Sequence, residues 1–299
     1  MSAPDFIPAE VRARLAGMRL FSRRAVQGHG FGLHGSRSLG SGMEFAQYRG
    51  YEPGDEPRAI DWKLFARSDR FYVREAERES PLTLWLLIDA SASMAQFDHP
   101  RPNYSRLDAA RSLAACAIEL ALRQGDRFGV IAVAGGEVTA VEAGSGPRQR
   151  DRCLLALAGL RAGGSWAEAP LAAAIWRRIP AHALVLMLGD GFDEIAIELS
   201  ERLAAANREV IDIRILTTEE RDFPFRGGIR FRDPETGADL LSDGEAVRAD
   251  FLRAFGAARS AYSARLAAAG ILTTEHVLDE PVDAPLRRLF GESGRSGRR

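Results

Sequence analysis

Leu84-Trp85-Leu86-Leu87-Ile88-Asp89-Ala90-Ser91-Ala92-Ser93 decides how this chain is read. Its first five residues are apolar without a break. A strand with one wet face would alternate, so this run reads as a strand buried on both faces. At its carboxyl end the run gives way to Asp-x-Ser-x-Ser. Three short oxygen-bearing side chains then fall at alternate positions where the chain turns. Runs of this kind also serve as turns or helix caps. Their placement at the end of a buried strand is what points to a site.

Working outward, Ser105 to Arg123 carries Leu107, Ala110, Leu113, Ala114, Ala117, Ile118 and Ala121 at helical spacing. Phe128 to Ala134 is a second buried run, and Glu137 to Val141 reads as a short strand paired with it. Helical patterns follow at 150–160 and 170–178, then an all-apolar strand at 183–188, a helix at 194–206 and a strand at 210–215. Strands alternating with helices predict an α/β fold with a doubly wound, mostly parallel, Rossmann-like sheet. Ligands of such sheets bind at the carboxyl ends of the strands, near the point where strand order reverses.

Residues 217–244 interrupt the rhythm with turn chemistry, including Phe223-Pro224-Phe225, Gly227-Gly228 and the run from Asp233 to Gly237. Ile229–Phe231 and Asp239–Leu241 are placed as a small β-hairpin insertion. A long helix from Glu245 to Ala269 stops at Gly270, followed by a strand at 271–277 and a short helix near 285–290. At the front, 8–20 reads as an amphipathic helix entered through Pro8, and Gly28 to Gly42 as glycine-rich loop. The expected organisation is an N-terminal segment, 1–80, packed on a main domain, 81–290, with a disordered tail at 291–299.

Composition narrows the function. With 40 basic and 41 acidic side chains the formal net charge is -1, which gives no whole-chain attraction to nucleic acid or anionic membrane. Cys116 and Cys153 are too few for a disulfide framework or a cysteine-based zinc site, and both sit in apolar runs. No segment reaches the ~18 apolar residues of a membrane span, and no signal peptide is evident, so a cytoplasmic protein is expected. The five histidines are scattered and are placed on surface or loops. Gly30-Phe31-Gly32-Leu33-His34-Gly35 fits GxGxxG but follows no strand and opens no helix. Neither a P-loop nor the GxSxG elbow of hydrolases is present.

Two further pieces stand where such a sheet brings strand ends together. Gly163-Gly164-Ser165 offers a hydroxyl in a loop before a helix, and Asp190 follows the apolar strand 183–188. Mg²⁺ is a hard ion that takes about six oxygens, several from water, and Ser hydroxyls need nearby carboxylates to balance its charge. Mn²⁺ and Ca²⁺ suit the same residue types. Asp190 also stands where it would cap the helix at 194–206, with Asp193 as the rival cap.

Asp89-x-Ser91-x-Ser93, Ser165 and Asp190 resemble, in order, the metal-ion-dependent adhesion site of von Willebrand factor A domains. The resemblance implies Ser91 and Ser93 as direct ligands, Ser165 in place of the usual threonine, and Asp89 and Asp190 holding waters and charge. Serine keeps the threonine oxygen but loses the methyl that restricts its rotamer. One coordination position would be left for an acidic residue of a protein partner.

A second resemblance covers about residues 30–290. Gly42-Met43-Glu44-Phe45, Arg49-Gly50-Tyr51, Pro53-Gly54-Asp55, Arg58-Ala59-Ile60-Asp61-Trp62, Ala66-Arg67, Arg74-Glu75 and the later Phe231-Arg232-Asp233-Pro234-Glu235-Thr236-Gly237 follow the pattern of a bacterial family, domain of unknown function fifty-eight. In that family the first motifs precede a von Willebrand factor A-like fold, and members are commonly encoded beside MoxR-type AAA+ ATPases. The resemblance therefore implies such an ATPase as partner, in chaperone-like assembly or activation of other proteins. The charges of the signature, Arg49, Asp55, Arg58, Asp61, Arg67, Arg74, Glu75 and Glu79, read as a structural ion-pair network ahead of a partner-binding face. Trp62 and Tyr51 read as packing residues. The expected function is metal-dependent protein binding and not catalysis. The alternatives are a metal-assisted phosphoester hydrolase with Asp89 and Asp190 at the ion, and an inactive scaffold whose metal site has degenerated at Ser165.

Overall fold

The computed structural model describes residues 4–22, 45–52, 57, 60–76, 81–166, 168–232 and 237–291. In chain order its elements are α1 (Ala9–Leu15), β1 (Phe45–Gly50), α2 (Trp62–Ser68), β2 (Tyr72–Ala76), β3 (Thr83–Asp89), α3 (Arg106–Gln124), β4 (Arg127–Ala134) and β5 (Glu137–Gly144). Then follow α4 (Pro147–Gly159), α5 (Ala169–Arg178), β6 (Leu184–Gly189), α6 (Glu194–Ala205), β7 (Glu209–Leu216), α7 (Thr218–Asp222), β8 (Gly228–Arg232), β9 (Asp239–Asp243), α8 (Gly244–Ala268), β10 (Leu272–Val277) and α9 (Ala284–Phe290).

Each apolar run of the central region is a strand of one six-stranded sheet, ordered β10-β7-β6-β3-β4-β5. All pairings are parallel except β4 with β5, which closes the edge as an antiparallel hairpin. Strand order reverses between β3 and β6. The doubly wound, mostly parallel α/β fold is therefore present, and its switch point lies between the strands that end in Asp89 and Gly189.

The sheet separates two apolar layers because alternate residues of a strand face opposite sides. Leu84, Leu86 and Ile88 point into a core with α1, α3, α4 and α9. Trp85 and Leu87 point into a second core with α5, α6 and Leu266 of α8. Full burial of one such side chain stabilises by roughly 1.5–3 kcal/mol, so the β3 run alone fixes both layers. Helix α3 starts at a capping box of Ser105 and Asp108 and ends at Gly125 in the left-handed region, φ 75°. Cys116 on α3 and Cys153 on α4 are free and buried, and burial pushes both thiols up to about 12.

The chain divides into two compact units, one of residues 1–29 with 82–299, the other of residues 30–81. Helix α1, expected within a single 1–80 segment, thus belongs to the sheet unit. Val11 and Leu15 enter its core. The Gln124 side chain meets both the N–H and the C=O of Leu20, at 2.6 and 2.9 Å. Arg14 pairs with buried Asp283 at 2.6 Å.

In the smaller unit, β1 and β2 form an antiparallel ribbon, and Asp61 caps α2 by accepting from the Lys63 and Leu64 amides. Trp62, expected as a packing residue, is 58% exposed and Tyr51 37%. A ribbon and one helix supply too little surface to cover such rings, and Trp62, Phe65, Phe71 and Tyr51 pack on one another instead. Pro53-Gly54-Asp55, Arg58-Ala59, the 233–236 motif, Glu79, the GxGxxG stretch and the 292–299 tail lie outside the described residues, as do the side chains of Arg49, Arg74 and Glu75. Among the described residues no helix is long and apolar enough to cross a membrane.

Candidate metal centre

β3 and β6 run parallel in register, with Ile88 opposite Leu188. Their ends therefore lie side by side, and the next residues of each chain, Asp89 and then Asp190, reach the same rim. Gly189 is what allows the approach. A Cβ on it would stand 2.9 Å from the Asp89 Cβ, closer than carbon atoms tolerate. Both carboxylates are buried, Asp89 at 3% and Asp190 at 1% exposure.

The Asp-x-Ser-x-Ser stretch folds on itself as its composition dictates. Asp89 Oδ1 accepts the Ser91 amide at 2.8 Å, and residues 92–95 make a single 3₁₀ turn. Ser91 and Ser93 then face the same point, with their Oγ atoms 3.0 Å apart. Mg–O bonds of about 2.0–2.1 Å place adjacent oxygens of an octahedron about 2.9 Å apart. The two hydroxyls thus already have the spacing of neighbouring ligands on such an ion.

The glycine loop docks backbone to backbone. Gly163 N–H donates to the Ala90 carbonyl at 3.0 Å, and Ala92 N–H donates to the Gly164 carbonyl at 2.8 Å. Gly164 has φ 63°, and a Cβ there would stand 2.4 Å from the Gly135 Cα. Only glycine permits this contact. Ser165 follows directly and is exposed, with no protein partner for its hydroxyl among the described residues.

Electrostatics favour a cation. Burial, then the nearby Asp190, pushes the Asp89 carboxyl up to about 7. Among the described residues no three His, Cys, Asp or Glu side chains converge as a metal set. An ion held here must therefore take hydroxyl oxygens, and the donor set of two serines flanked by two carboxylates fits a hard divalent cation.

One side chain at the rim is basic. Arg106, the first residue of α3, is 1% exposed. Its Nη1 donates to Asp190 Oδ2 at 3.1 Å and to the Ser93 carbonyl at 3.4 Å, and its Nη2 pairs with Glu220 of α7. Asp190 Oδ1 accepts the Phe192 amide at 3.2 Å, and its carbonyl accepts Arg214 Nε at 2.8 Å. Asp193, not Asp190, caps α6, accepting from the Ile195 and Ala196 amides. Two exposed aromatic side chains follow the rim segments in the chain, Phe192 at 58%, two residues after Asp190, and Phe97 at 43%, bridged to Ser105 just before Arg106. The guanidinium of Arg214 lies 5.2 Å from the Phe192 ring centroid.

Over residues 47–261 the sequence matches the family described as "Protein of unknown function DUF58". The chain belongs to this family. Similar proteins include uncharacterized proteins of Mycobacterium tuberculosis and Mycobacterium bovis. Each is 28% identical over 260 residues, 86% of this chain and 81% of its own. Among solved structures, a conserved hypothetical protein BatB from Bacteroides thetaiotaomicron matches at TM-score 0.44 and 14% identity, over 72% of this chain and 99% of its own. A von Willebrand factor type A protein from Catenulispora acidiphila matches at TM-score 0.41 and 18% identity, over 74% and 44%. The strand order described above carries the fold assignment independently of these likenesses.

Arg106, Arg214 and Glu220 are absent from the expected site. Arg106 left one signal, a positive charge on the first turn of a helix, where the macrodipole disfavours it. His276, placed on surface or loop, is instead fully buried on β10 with neither ring nitrogen hydrogen-bonded, and burial holds it down at about 4. One histidine near the end of the mixed strand Leu272–Val277 has no sequence signature that separates burial from exposure.

Proposed function

We propose that this DUF58 protein binds a divalent cation, Mg²⁺ first among them, at the rim between β3 and β6, and uses it to hold an acidic side chain of another protein. The observation that carries the proposal is the pair of hydroxyls, Ser91 and Ser93, at 3.0 Å between two buried carboxylates. When bound, the ion supplies an electrophilic centre, because neutral hydroxyls leave most of its charge uncompensated. Asp89 orients the serine turn through the Ser91 amide and contributes negative charge. Asp190 contributes negative charge from the β6 side. Ser165 offers its hydroxyl from the docked glycine loop.

The surroundings support a protein partner. Exposed aromatic side chains are the anchors of protein interfaces, and Phe97 and Phe192 follow the rim segments in the chain. Phe192 is also held in place by Arg214, so its ring is presented without a large ordering cost. The partner implied by the family resemblance is a MoxR-type AAA+ ATPase.

Calorimetric titration with Mg²⁺ tests the reading. Native protein binds, and a Ser91→Ala/Ser93→Ala variant with an unchanged circular dichroism spectrum does not. A variant that binds as well as native protein would sink the proposed ligand set. Capture of a purified MoxR-type ATPase by the protein, lost with EDTA, tests the partner.

A further inference from the structure

The rim that gathers two carboxylates for a cation also contains one. A buried guanidinium is costly unless fully paired, and a helix N-terminus adds to that cost for a positive charge. Arg106 bears both and is nevertheless 1% exposed. Its two terminal nitrogens meet carboxylates, Nη1 Asp190 at 3.1 Å and Nη2 Glu220, while Nε has no hydrogen-bond partner among the described residues. Glu220 is itself fixed, accepting the Thr217 amide at 2.9 Å and the Thr217 hydroxyl at 3.1 Å. The guanidinium is therefore clamped against Asp190 and has little freedom to leave.

We infer that Arg106 sets the cation affinity of the rim: it is a built-in positive charge on Asp190 that keeps the metal weakly bound until an anionic ligand arrives. The inference rests on the metal-binding reading above. Asp190 has one oxygen on Arg106 and the other on the Phe192 amide, so much of its charge is already spent. An incoming ion meets the repulsion of a fixed guanidinium a few ångströms from its ligands, in surroundings too dry to screen it. A carboxylate from a partner adds the negative charge that is missing, so metal and partner bind with positive coupling. Glu220 has the opposite effect to Arg106. It draws off part of the guanidinium's charge and so eases the burden on Asp190. Arg106 is in this sense a positioning residue, acting through Asp190.

Mn²⁺ titrations followed by the free-ion electron paramagnetic resonance signal test this with four chains: native, Arg106→Gln, Arg106→Lys and Glu220→Gln. Thermal melts check folding of each. Removing the charge tightens Mn²⁺ binding by about tenfold or more, the effect of one poorly screened charge at short range. Arg106→Lys keeps the charge and stays near native affinity. Glu220→Gln leaves the guanidinium to Asp190 alone and weakens binding severalfold. A merely structural role would not move the two neutralising variants in opposite directions. Unchanged or weaker binding by folded Arg106→Gln, with native protein binding through its serines, overturns the inference and leaves the metal site standing. Binding by neither native nor Arg106→Gln protein sinks the metal reading itself, and the inference with it. Should Arg106→Gln not fold, Glu220→Gln decides: unchanged or tighter binding overturns the inference.

Discussion

Helix α3 lies with most of its 19 residues buried, among them Leu107, Leu113, Ile118 and Leu120. Helix α8 is longer, at 25 residues, yet only Gly244 and Leu266 are buried. Both belong to the same unit, so the difference lies in what holds them. α3 is attached by apolar area. α8 is attached by discrete polar and aromatic joints. Tyr262 hydrogen-bonds buried Asp212, Arg214 stacks on Tyr262 and Phe255, Arg259 pairs with Glu275, and Arg265 with Glu194 and Glu201. Toward its N-terminus, Phe251 stacks on Phe223 at 4.4 Å beside the β8–β9 hairpin. Apolar packing tolerates small shifts everywhere. Joints of this kind concentrate the attachment of α8 in a few residues.

The largest expected effect tests the apolar side of the comparison. Leu113→Ala, at a position 1% exposed, destabilises by about 2–5 kcal/mol in urea unfolding, from lost transfer energy and the cavity left behind. A loss below about 1 kcal/mol would mean that α3 is not held by its core face.

The central joint of α8 comes next. Tyr262→Phe leaves the Asp212 carboxylate without its donor and costs about 1–3 kcal/mol. The same joint has a pH dependence. Burial pushes Asp212 up to about 7. A carboxyl whose folded value is raised binds more protons folded than unfolded, so stability falls as pH rises from about 4 to about 7. Asp212→Asn reduces that slope, measured as unfolding free energy against pH, and leaves the share of Asp89, which burial also pushes up to about 7. A slope unchanged by the substitution would remove Asp212 as its source. The smallest effect is at the rim of the helix. Arg265 is 37% exposed, and Arg265→Ala shifts stability by about 1 kcal/mol or less, because surface ion pairs are offset by solvation and screening.

What could be read from the sequence follows the same division. Strands such as Leu84–Ile88 and Ala183–Leu188 were legible because burial on both faces leaves an unbroken apolar run. The β8–β9 hairpin and the end of α8 were legible from turn glycines and Gly270. Of the site, Asp89, Ser91, Ser93 and Asp190 could be placed at one rim, since parallel strands must end together. Arg106 could not, because its partners Asp190 and Glu220 are far along the chain and meet it only through the fold. For α8 the length was legible but not the exposure, since Phe251, Phe255 and Tyr262 look like core residues until Arg214 is seen among them. Trp62 misled for a related reason: an aromatic ring says that it will find contacts, not that the surrounding unit is large enough to cover it.

Cys116 on α3 and Cys153 on α4 are buried, with their thiols held far from ionisation. Only a thiolate attacks a maleimide or a disulfide dye. The folded protein is therefore silent toward such reagents, and each molecule that opens its core reports itself twice. The chain carries its own unfolding gauge, one that needs no engineered cysteine and reports how readily the core of every variant discussed above opens.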